Sequence, residues 1–389
     1  MLAQSLGVEL SALRVAGLYR RLRHIEHLGP CQALVDGRKA LLFASNDYLG
    51  LASHPDVVGA SVAAARSHGC GATASRLVNG NHALYRELED ALAEFKGTEA
   101  ALVFPTGYMA NLGVVTALAH SRSDAIHMDR LNHASLYDAA AMAPATLTRY
   151  AHGDVGALAA NLEAGPCDGR RLIVTDGVFS MDGDSAPLAE LAELAHHSNA
   201  VLVVDDAHGT GVLGPDGRGS CAAAGVHADV EIGTLSKALG SVGGFVAGSR
   251  ALVDYLINRA RPLVFSTGLP PAAIASSTAA LRVARTESWR RARVLELSAN
   301  VRRALVDSGF EIVPGDTPII PIIIGDESAA VAFSDHLLEQ GIFIPAIRTP
   351  SVEKGRARLR MTLSAEHTDE QIARALELLD DARSTVVAP

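Results

Sequence analysis

The chain has 389 residues, of which 48% are hydrophobic, 20% charged and 4% aromatic, and its formal net charge is −9. A length of this order predicts two or three domains, and the hydrophobic share is enough to bury a large core. The net negative charge argues against a nucleic-acid-binding protein, because no broad basic field would face the phosphates.

The N-terminal segment is predicted to form a helix and then a short β hairpin. Leucines recur at helical spacing and predict an amphipathic helix over residues 1–28. Asp36 and Gly37 lie between two apolar runs, which is a hairpin signal. A basic patch falls within this segment, and a solvated helix face and an anion site both explain it. Its members are Arg14, Arg20, Arg21, Arg23 and His24.

From about residue 55 onward, helices rich in alanine, leucine and glutamate alternate with short apolar runs. The clearest helices cover residues 84–95 and 107–119. The runs that we predict to be strands are 100–104, 125–128, 146–150, 171–175, 201–204, 230–233 and 244–247. This alternation predicts an α/β domain with a large, mostly parallel sheet that helices cover on both faces.

After Pro270 and Pro271 the pattern predicts a smaller α+β domain. A long helix is expected over about 272–306, and later helices near 329–340 and from 368. Apolar runs between them are 310–313, 319–324, 342–344 and 358–362. We therefore divide the chain into an N-terminal helix with a short β segment (1–45), a large α/β domain (46–275) and a small C-terminal α+β domain (276–389).

The cysteines and the hydropathy pattern predict a cytoplasmic protein. Cys31, Cys70, Cys167 and Cys221 are widely spaced, which favours reduced thiols over disulfides or a zinc site, and we expect no metal. No apolar stretch reaches the ~18 residues that a membrane span needs, so no membrane association is expected. The N-terminus also lacks a basic segment followed by an apolar one, as a secretory signal would have.

Several predicted strands end in polar or glycine-rich groups, around residues 107, 133, 180, 205 and 237. Ligands of open parallel sheets gather at the carboxyl ends of the strands, so this convergence favours an active site. Lys237 follows one strand, and Asp205 and His208 follow another. The amine could form a Schiff base with an aldehyde cofactor, the acid could keep a pyridine nitrogen protonated, and the histidine could tune the ring.

Two glycine-rich segments suggest phosphate binding, but only one is a good candidate. Residues 209–214 match a dinucleotide fingerprint, yet Pro215 follows them and cannot begin the required helix, so we expect the match to be fortuitous. Gly107, with Thr106 and Tyr108 beside it at a helix start, could bind a single phosphate. Taken alone, however, Gly107 is better explained by an ordinary glycine turn.

A histidine and an arginine cluster complete the candidates. His133 follows a strand and could stack on a planar ring, although a lone histidine is more often a capping or core residue. Arg356, Arg358 and Arg360 would share one face of a strand, and one of them could form a bidentate pair with a carboxylate. A solvated edge strand explains the outer two arginines.

Together these residues resemble the α-oxoamine synthases, pyridoxal-phosphate enzymes of fold type I that join an amino acid to an acyl thioester with loss of CO2. The resemblance covers nearly the whole chain. It rests on the motifs ASNDYLGL (44–51), SRLVNGN (75–81), DRLNHASL (129–136), DGVFSMDGD (176–184), VDDAHGTG (204–211), TLSKALG (234–240), FSTGLPP (265–271) and ARLRMTL (357–363). It implies a transferase of fold type I that forms a homodimer with shared active sites.

The resemblance also implies roles for the matching residues. Lys237 would hold pyridoxal 5′-phosphate as an internal aldimine, Asp205 would pair with the pyridinium nitrogen, and His133 would stack on the ring. His208 would lie near the phenolic oxygen. The cofactor and its phosphate would be surrounded by Gly107, Tyr108, Ser180 and Thr234, and by Ser266 and Thr267 of the neighbouring subunit. The substrate contacts would be Arg20, Asn46, His133, Ser351 and Arg360.

The implied activity is that of an acyltransferase acting on L-alanine and a pimeloyl thioester, carried by coenzyme A or by an acyl-carrier protein. Arg360 would bind the carboxylate of the amino acid and Arg20 the far carboxylate of the acyl chain. Sister enzymes remain alternatives: 2-amino-3-ketobutyrate ligase or 5-aminolevulinate synthase, which use glycine, or an enzyme that uses serine with a longer acyl chain. A non-catalytic α/β binding protein is the alternative from another class.

One segment departs from the family pattern. The family commonly has the sequence RPPTVP before the arginine strand, whereas this chain has RTPSVE at residues 348–353. Ser351 keeps a hydroxyl group where the family has threonine. The missing prolines predict a looser loop, which bears on the choice of acyl donor and not on the cofactor chemistry.

Overall fold

The computed structural model of the protein describes residues 2–165 and 167–386. The chain forms two compact units. The large unit comprises residues 46–180 and 184–295, and the small unit comprises residues 1–45, 181–183 and 296–389. The sequence-based ranges differ from this division, because they end the large domain at residue 275 and treat residues 1–45 as a separate segment.

The strands and helices follow one another along the whole described chain. The strands are β1 (Ile25–Gly29), β2 (Gln32–Val35), β3 (Arg38–Leu42), β4 (Ala100–Phe104), β5 (Ala125–Asp129), β6 (Thr146–Tyr150), β7 (Arg171–Asp176), β8 (Val201–Asp205), β9 (Val230–Thr234), β10 (Gly244–Gly248), β11 (Ile319–Gly325), β12 (Ile342–Phe343), β13 (Ala346–Ile347) and β14 (Ala357–Thr362). The helices are α1 (Leu2–Val15), α2 (Pro55–His68), α3 (Leu84–Lys96), α4 (Gly107–Leu118), α5 (Ala134–Met142), α6 (Val155–Ala164), α7 (Leu188–His197), α8 (Ser220–Ala224), α9 (Arg250–Arg259), α10 (Arg261–Val264), α11 (Pro271–Thr286), α12 (Trp289–Asp307), α13 (Glu327–Glu339) and α14 (Asp369–Val386). No helix among these described residues is long and apolar enough to cross a membrane.

The large unit is built on a seven-stranded sheet with the order β4-β10-β9-β8-β7-β5-β6. Only β10 runs antiparallel to its neighbours, and the other pairs are parallel. Along β7, Leu172 and Val174 belong to one hydrophobic cluster and Ile173 to another. Because successive side chains of a strand point to opposite faces, the sheet is buried on both sides. The predicted fold class is confirmed.

The small unit contains two further sheets. One has the order β1-β2-β3-β12, and the other is antiparallel with the order β11-β14-β13. The predicted hairpin joins β2 to β3, where Asp36 and Gly37 have φ angles of 50° and 82°. Positive φ at both turn positions is what a tight two-residue hairpin requires, and aspartate followed by glycine tolerates it well.

The predicted N-terminal helix is wrong beyond residue 15. Gly17 has a φ angle of 68°, and its N–H donates to the carbonyl of Arg14 while that of Leu18 donates to Leu13. A left-handed glycine of this kind ends a helix, so residues 18–24 do not continue it and β1 follows. None of the residues of α1 is buried, so its leucines do not face a core within the chain.

Two C-terminal predictions are also corrected. The helix expected over 272–306 is divided into α11 and α12, because Glu287 adopts a non-helical ψ of 60° and ends α11. The Glu287 carboxylate instead pairs with Arg290 and His54. The run 310–313 forms no strand in the described chain. It makes a single bridge, between Ile312 and Ile322.

Candidate active site

A cavity of about 230 Å³ lies in the large unit at the carboxyl ends of the parallel strands. Asp176, Asp205 and Thr234 are the last residues of β7, β8 and β9, and all of them line it. The full lining comprises Thr106, Gly107, Tyr108, Asn111, His133, Ser135, Asp176, Val178, Ser180, Asp205, Ala207, His208, Thr234, Ser236 and Lys237. The cavity therefore has the position that ligands occupy in open α/β sheets.

Most of the residues predicted for the cofactor line this cavity. They are Gly107, Tyr108, His133, Ser180, Asp205, His208, Thr234 and Lys237. They come from different strand ends and from the first turn of α4, so they are brought together by the parallel topology of the sheet. Their individual roles remain predictions.

His208 connects Lys237 to Tyr48 by hydrogen bonds. Lys237 Nζ lies 2.9 Å from His208 Nε2, and His208 Nδ1 lies 2.6 Å from the hydroxyl oxygen of Tyr48. Since a lysine ammonium only donates, Nε2 accepts from it and the proton of the neutral ring lies on Nδ1. Nδ1 then donates to Tyr48, whose hydroxyl donates to Asn46 Oδ1 at 3.1 Å. The chain thus leads from the predicted reactive amine to a predicted substrate contact.

Two buried carboxyl groups lie side by side in the lining of the cavity. Asp205 and Asp176 are partners in the register of β7 and β8, and they are 7% and 3% exposed. Asp205 Oδ2 accepts a 2.6 Å hydrogen bond from Asn111 Nδ2, and Asp176 Oδ2 accepts one of 3.0 Å from the backbone of His133. Burial, followed by the neighbouring charge of Asp205, raises the pKa of Asp176 well above its usual range. Asp176 is therefore harder to ionise than an exposed aspartate.

The start of α4, which also lines the cavity, has the features of an anion site. Thr106 caps the helix by accepting a 3.1 Å hydrogen bond from the backbone of Met109. The following amides at Gly107 and Tyr108 begin the helix and carry its positive dipole end. A Cβ at Gly244 would lie 2.5 Å from Gly107 Cα, so the two backbones meet too closely for a larger residue at 244.

These groups fit a small, planar aldehyde that carries a phosphate. Lys237 supplies a primary amine, Asp205 a carboxylate for a ring nitrogen, and α4 the amides for the phosphate. Asn111 Oδ1 and Asp176 Oδ1 are buried without a hydrogen-bond partner within the described part of the chain. Unsatisfied buried oxygens of this kind are expected where a ligand completes a polar site.

Two of the predicted cofactor residues lie in the large unit but do not line the cavity. Ser266 is half-buried and Thr267 is exposed. Thr267 forms a β-bridge with Ser75, and the N–H of Gly268 donates to the carbonyl of Ala74. These two contacts hold the segment that carries Ser266 and Thr267 against Ala74 and Ser75. Both residues were predicted to reach the phosphate of a neighbouring subunit, and this role stays a prediction.

The predicted acyl-chain contacts lie in the small unit. Arg20 and Ser351 line a second cavity, of about 570 Å³, together with Arg21, Arg23 and Arg348. Arg23 pairs with Asp36 and Asp335, and Arg348 donates to the backbone carbonyl of Tyr19. Arg20 and Arg21 make no ion pair with any other described residue, so their charges are available to an anion.

The arginine strand is not the solvated edge strand that we considered. β14 is the central strand of its sheet, with β11 on one side and β13 on the other. Arg358 is 4% exposed and pairs with Asp182 at 2.6 Å, while Arg356 pairs at the surface with Glu311. Arg360, the predicted carboxylate ligand, is 6% exposed. Arg356 lies just before the strand, which begins at Ala357, and the burial of Arg358 and Arg360 depended on strand pairing.

Sequence reasoning missed several residues of the cavity. Asp176 ends β7 at the same edge as Asp205, and the strand-end argument could have found it, but Ser180 was selected instead. Asn111, Ser135 and Tyr48 gave no comparable signal. Asn111 and Ser135 lie inside helices, and Tyr48 lies in the loop between β3 and α2, so only packing reveals their contacts.

Comparisons with known proteins agree with this geometry. The family model described as aminotransferase class I and II matches residues 38–379. The chain is 48% identical over 377 residues to the 8-amino-7-oxononanoate synthase of Trichlorobacter lovleyi, covering 96% of each protein. A solved serine palmitoyltransferase from S. paucimobilis, with a bound PLP–myriocin aldimine, is 32% identical with a TM-score of 0.94 and 98% coverage of both chains. The 8-amino-7-oxononanoate synthase of Francisella tularensis is 29% identical with a TM-score of 0.77, covering 90% of this chain and 99% of its own.

Proposed function

Since this chain belongs to the class I and II aminotransferase family, we propose that it catalyses the reaction of an 8-amino-7-oxononanoate synthase in biotin biosynthesis. L-Alanine condenses with a pimeloyl thioester, and the products are 8-amino-7-oxononanoate, CO2 and the free thiol. The observation that carries the proposal is the 48% identity to such a synthase over 96% of both chains. The cavity that Lys237 lines contains the amine, the carboxylate and the helix amides that this reaction would use.

The enzyme uses pyridoxal 5′-phosphate, which withdraws electrons from the amino-acid Cα when it is bound. Lys237 Nζ would hold the cofactor through its aldehyde carbon; once the amino group of alanine has replaced it there, the freed Nζ would take the Cα proton. His208 Nε2, at 2.9 Å from Nζ, holds the amine in the cavity. Asp205 would keep a proton on the ring nitrogen, and the amides of α4 would bind the phosphate. His133 would cover the ring, and Ser180 and Thr234 would line its border.

The acyl donor is assigned from the second cavity. We propose that the far carboxylate of the pimeloyl chain binds Arg20, whose guanidinium makes no ion pair with the rest of the described chain, and that the Ser351 hydroxyl contacts the same chain. Arg360 remains the proposed ligand of the alanine carboxylate, because a buried guanidinium binds carboxylates in a bidentate manner. The donor is a thioester of coenzyme A or of an acyl-carrier protein.

We also propose a homodimer in which Ser266 and Thr267 reach the phosphate of the partner. Large apolar side chains on and beside the segments 75–80 and 265–268 support this. Leu77, Val78 and Phe265 are 55%, 81% and 70% exposed. Exposed apolar groups on two segments that are tied together are typical of a covered surface.

A sister activity has one observation in its favour. The serine palmitoyltransferase structure reaches a higher TM-score than that of the Francisella synthase, 0.94 against 0.77. A TM-score compares backbones, whereas the choice between alanine and serine depends on side chains. Sequence identity reports side chains directly, and it is 48% to the Trichlorobacter synthase against 32% to the palmitoyltransferase.

The deciding experiment supplies the purified enzyme with alanine, glycine or serine and with pimeloyl, acetyl, succinyl or palmitoyl thioesters. We expect kcat/KM to be highest for alanine with the pimeloyl donor, and Lys237→Ala to abolish turnover. A preference for serine with a palmitoyl donor would overturn the proposal. Arg20→Ala should raise KM about tenfold for the pimeloyl thioester but not for the heptanoyl thioester, which lacks the far carboxylate.

A further inference from the structure

A buried chain of hydrogen bonds joins Asp205 to His133 inside the large unit. Asn111 Nδ2 lies 2.6 Å from Asp205 Oδ2 and 2.7 Å from Ser135 Oγ. Ser135 Oγ lies in turn 2.7 Å from His133 Nδ1. Asn111 is 2% exposed and Ser135 is fully buried. Neither residue was predicted from the sequence to have a role, and both line the cavity.

The donor and the acceptor of each of these hydrogen bonds follow from the carboxylate of Asp205. An ionised carboxylate only accepts, so the NH2 group of Asn111 must face Asp205, which settles the orientation of the amide. The second hydrogen of the same nitrogen points to Ser135 Oγ. The hydroxyl of Ser135 then has its own single hydrogen left for His133, and Nδ1 of the imidazole accepts it.

A second donor reaches the same nitrogen independently. His133 is the N-cap residue of α5, and the backbone N–H of Ser135 lies 3.3 Å from Nδ1. A backbone N–H can only donate. Nδ1 is therefore an acceptor by two separate contacts, and the proton of the neutral ring lies on Nε2. Burial, the largest influence, lowers the pKa of His133, which agrees with a neutral ring.

We propose that Asn111 and Ser135 are positioning residues that hold His133 as the neutral Nε2–H tautomer and orient the carboxylate of Asp205. Asn111 lies one turn after Gly107 in α4, so a single helix delivers both the phosphate site and this amide. A neutral imidazole lies against a cationic ring without charge repulsion, and its Nε2–H offers a donor to a substrate oxygen. The kinetic part of the inference rests on the proposed function, whereas the tautomer does not.

The tautomer can be measured without cofactor or turnover. Protein labelled with ¹⁵N in its histidine rings is studied by long-range ¹H–¹⁵N correlation, in which the peak pattern identifies the protonated nitrogen. The chain has 15 histidines, so the His133 signals are assigned by their loss in His133→Gln. We expect the Nε2–H pattern near neutral pH. An Nδ1–H or doubly protonated pattern overturns the inference, and this test needs no variant of Asn111 or Ser135.

Variants then test the positioning role. Ser135→Ala should lower kcat about tenfold with little change in the KM for alanine, and the His133 signals should show a second tautomer. Ser135→Thr keeps the hydroxyl and should restore both. Ser298→Ala is the matched control, because Ser298 is equally buried and donates to the backbone carbonyl of Thr317. A Ser135→Ala protein with unchanged kcat and an unchanged tautomer would overturn the role.

The two proposals fail in different ways. If the wild-type enzyme makes no 8-amino-7-oxononanoate, the proposed function is wrong, while the wild-type tautomer still decides the assignment of His133. If the wild-type enzyme is active and His133 carries its proton on Nδ1, the proposed function stands and the inference about Asn111 and Ser135 falls.

Discussion

Lys96 is a buried charged residue of the large unit whose charge is compensated by neighbouring carboxylates. Its ammonium is fully buried, 2.7 Å from Asp206 Oδ2 and 3.0 Å from Glu231 Oε2. Burial opposes the charge, but the two carboxylates outweigh it and raise the pKa of Lys96. Asp206 also accepts hydrogen bonds from Ser220, so this cluster holds the segment that follows Asp205.

Replacing Lys96 by methionine should lower the free energy of unfolding by about 3–5 kcal/mol, because two carboxylates would remain buried without their cation. Urea unfolding of the cofactor-loaded protein measures the change. Adding Glu231→Gln should recover part of the loss. The exposed Lys39→Met is the matched control and should cost less than about 0.5 kcal/mol. A Lys96 variant as stable as this control would contradict the assignment.

At the scale of elements, His152 ties the end of β5 to the residues around Ser180. It follows β6, and its Nδ1 and Nε2 lie 3.1 Å and 2.8 Å from carboxylate oxygens of Asp129 and Asp184. Both ring nitrogens must donate to these carboxylates, which only an imidazolium can do. Burial opposes the charge, but the hydrogen bonds to Asp129 and Asp184 outweigh it and raise the pKa of His152 to about 10.

This pKa predicts a pH dependence of stability. A histidine has a pKa of about 6.5 in the unfolded chain, so the contribution of His152 is fully present below that pH. It should be lost as the pH rises through about 10, the pKa of the folded state. Thermal unfolding midpoints from pH 6 to 10 should therefore fall more steeply for the wild type than for His152→Gln. The exposed His196→Gln should follow the wild-type curve. Parallel curves for wild type and His152→Gln would refute the imidazolium.

At the scale of the whole molecule, the site requires a partner copy if Ser266 and Thr267 act as proposed. A β-bridge from Ser75 and a backbone hydrogen bond to Ala74 hold the start of the segment 75–80 on residues 267 and 268, and both segments carry exposed apolar side chains. Within the described chain Leu77, Val78 and Phe265 remain exposed to solvent. A second copy would bury them and bring its own hydroxyl groups to the phosphate.

Charge placed on this surface should separate the subunits. Val78→Asp is expected to shift the enzyme from dimer to monomer in sedimentation equilibrium, since an unpaired carboxylate would be desolvated at the interface. The monomer should bind pyridoxal 5′-phosphate at least about tenfold more weakly, because the hydroxyl groups of the partner are lost. Val306→Asp, at an exposed valine of α12, is the control and should leave both properties unchanged. A Val78→Asp dimer with wild-type affinity would count against the shared site.

Part of the site could be predicted because strand ends of a parallel sheet meet at one edge. Asp205 ends a strand and Lys237, His208 and His133 follow strands, so their convergence needed only the order of elements. Asp176 obeys the same rule and was overlooked. Asn111 could not be predicted in this way, because it lies within a helix and its partner Asp205 is 94 residues away.

The sequence by itself determined the α/β class, the positions of the seven strands of the large sheet and the turn at Asp36 and Gly37. These depend on hydrophobic period and on backbone preferences, which act over a few residues. Only the tertiary structure decided the pairing of Lys96 with Asp206, 110 residues apart, the central place of β14, and the direction of the hydrogen bonds from Asp205 to His133. Those features depend on which distant segments pack together, and no local pattern of residues encodes that choice.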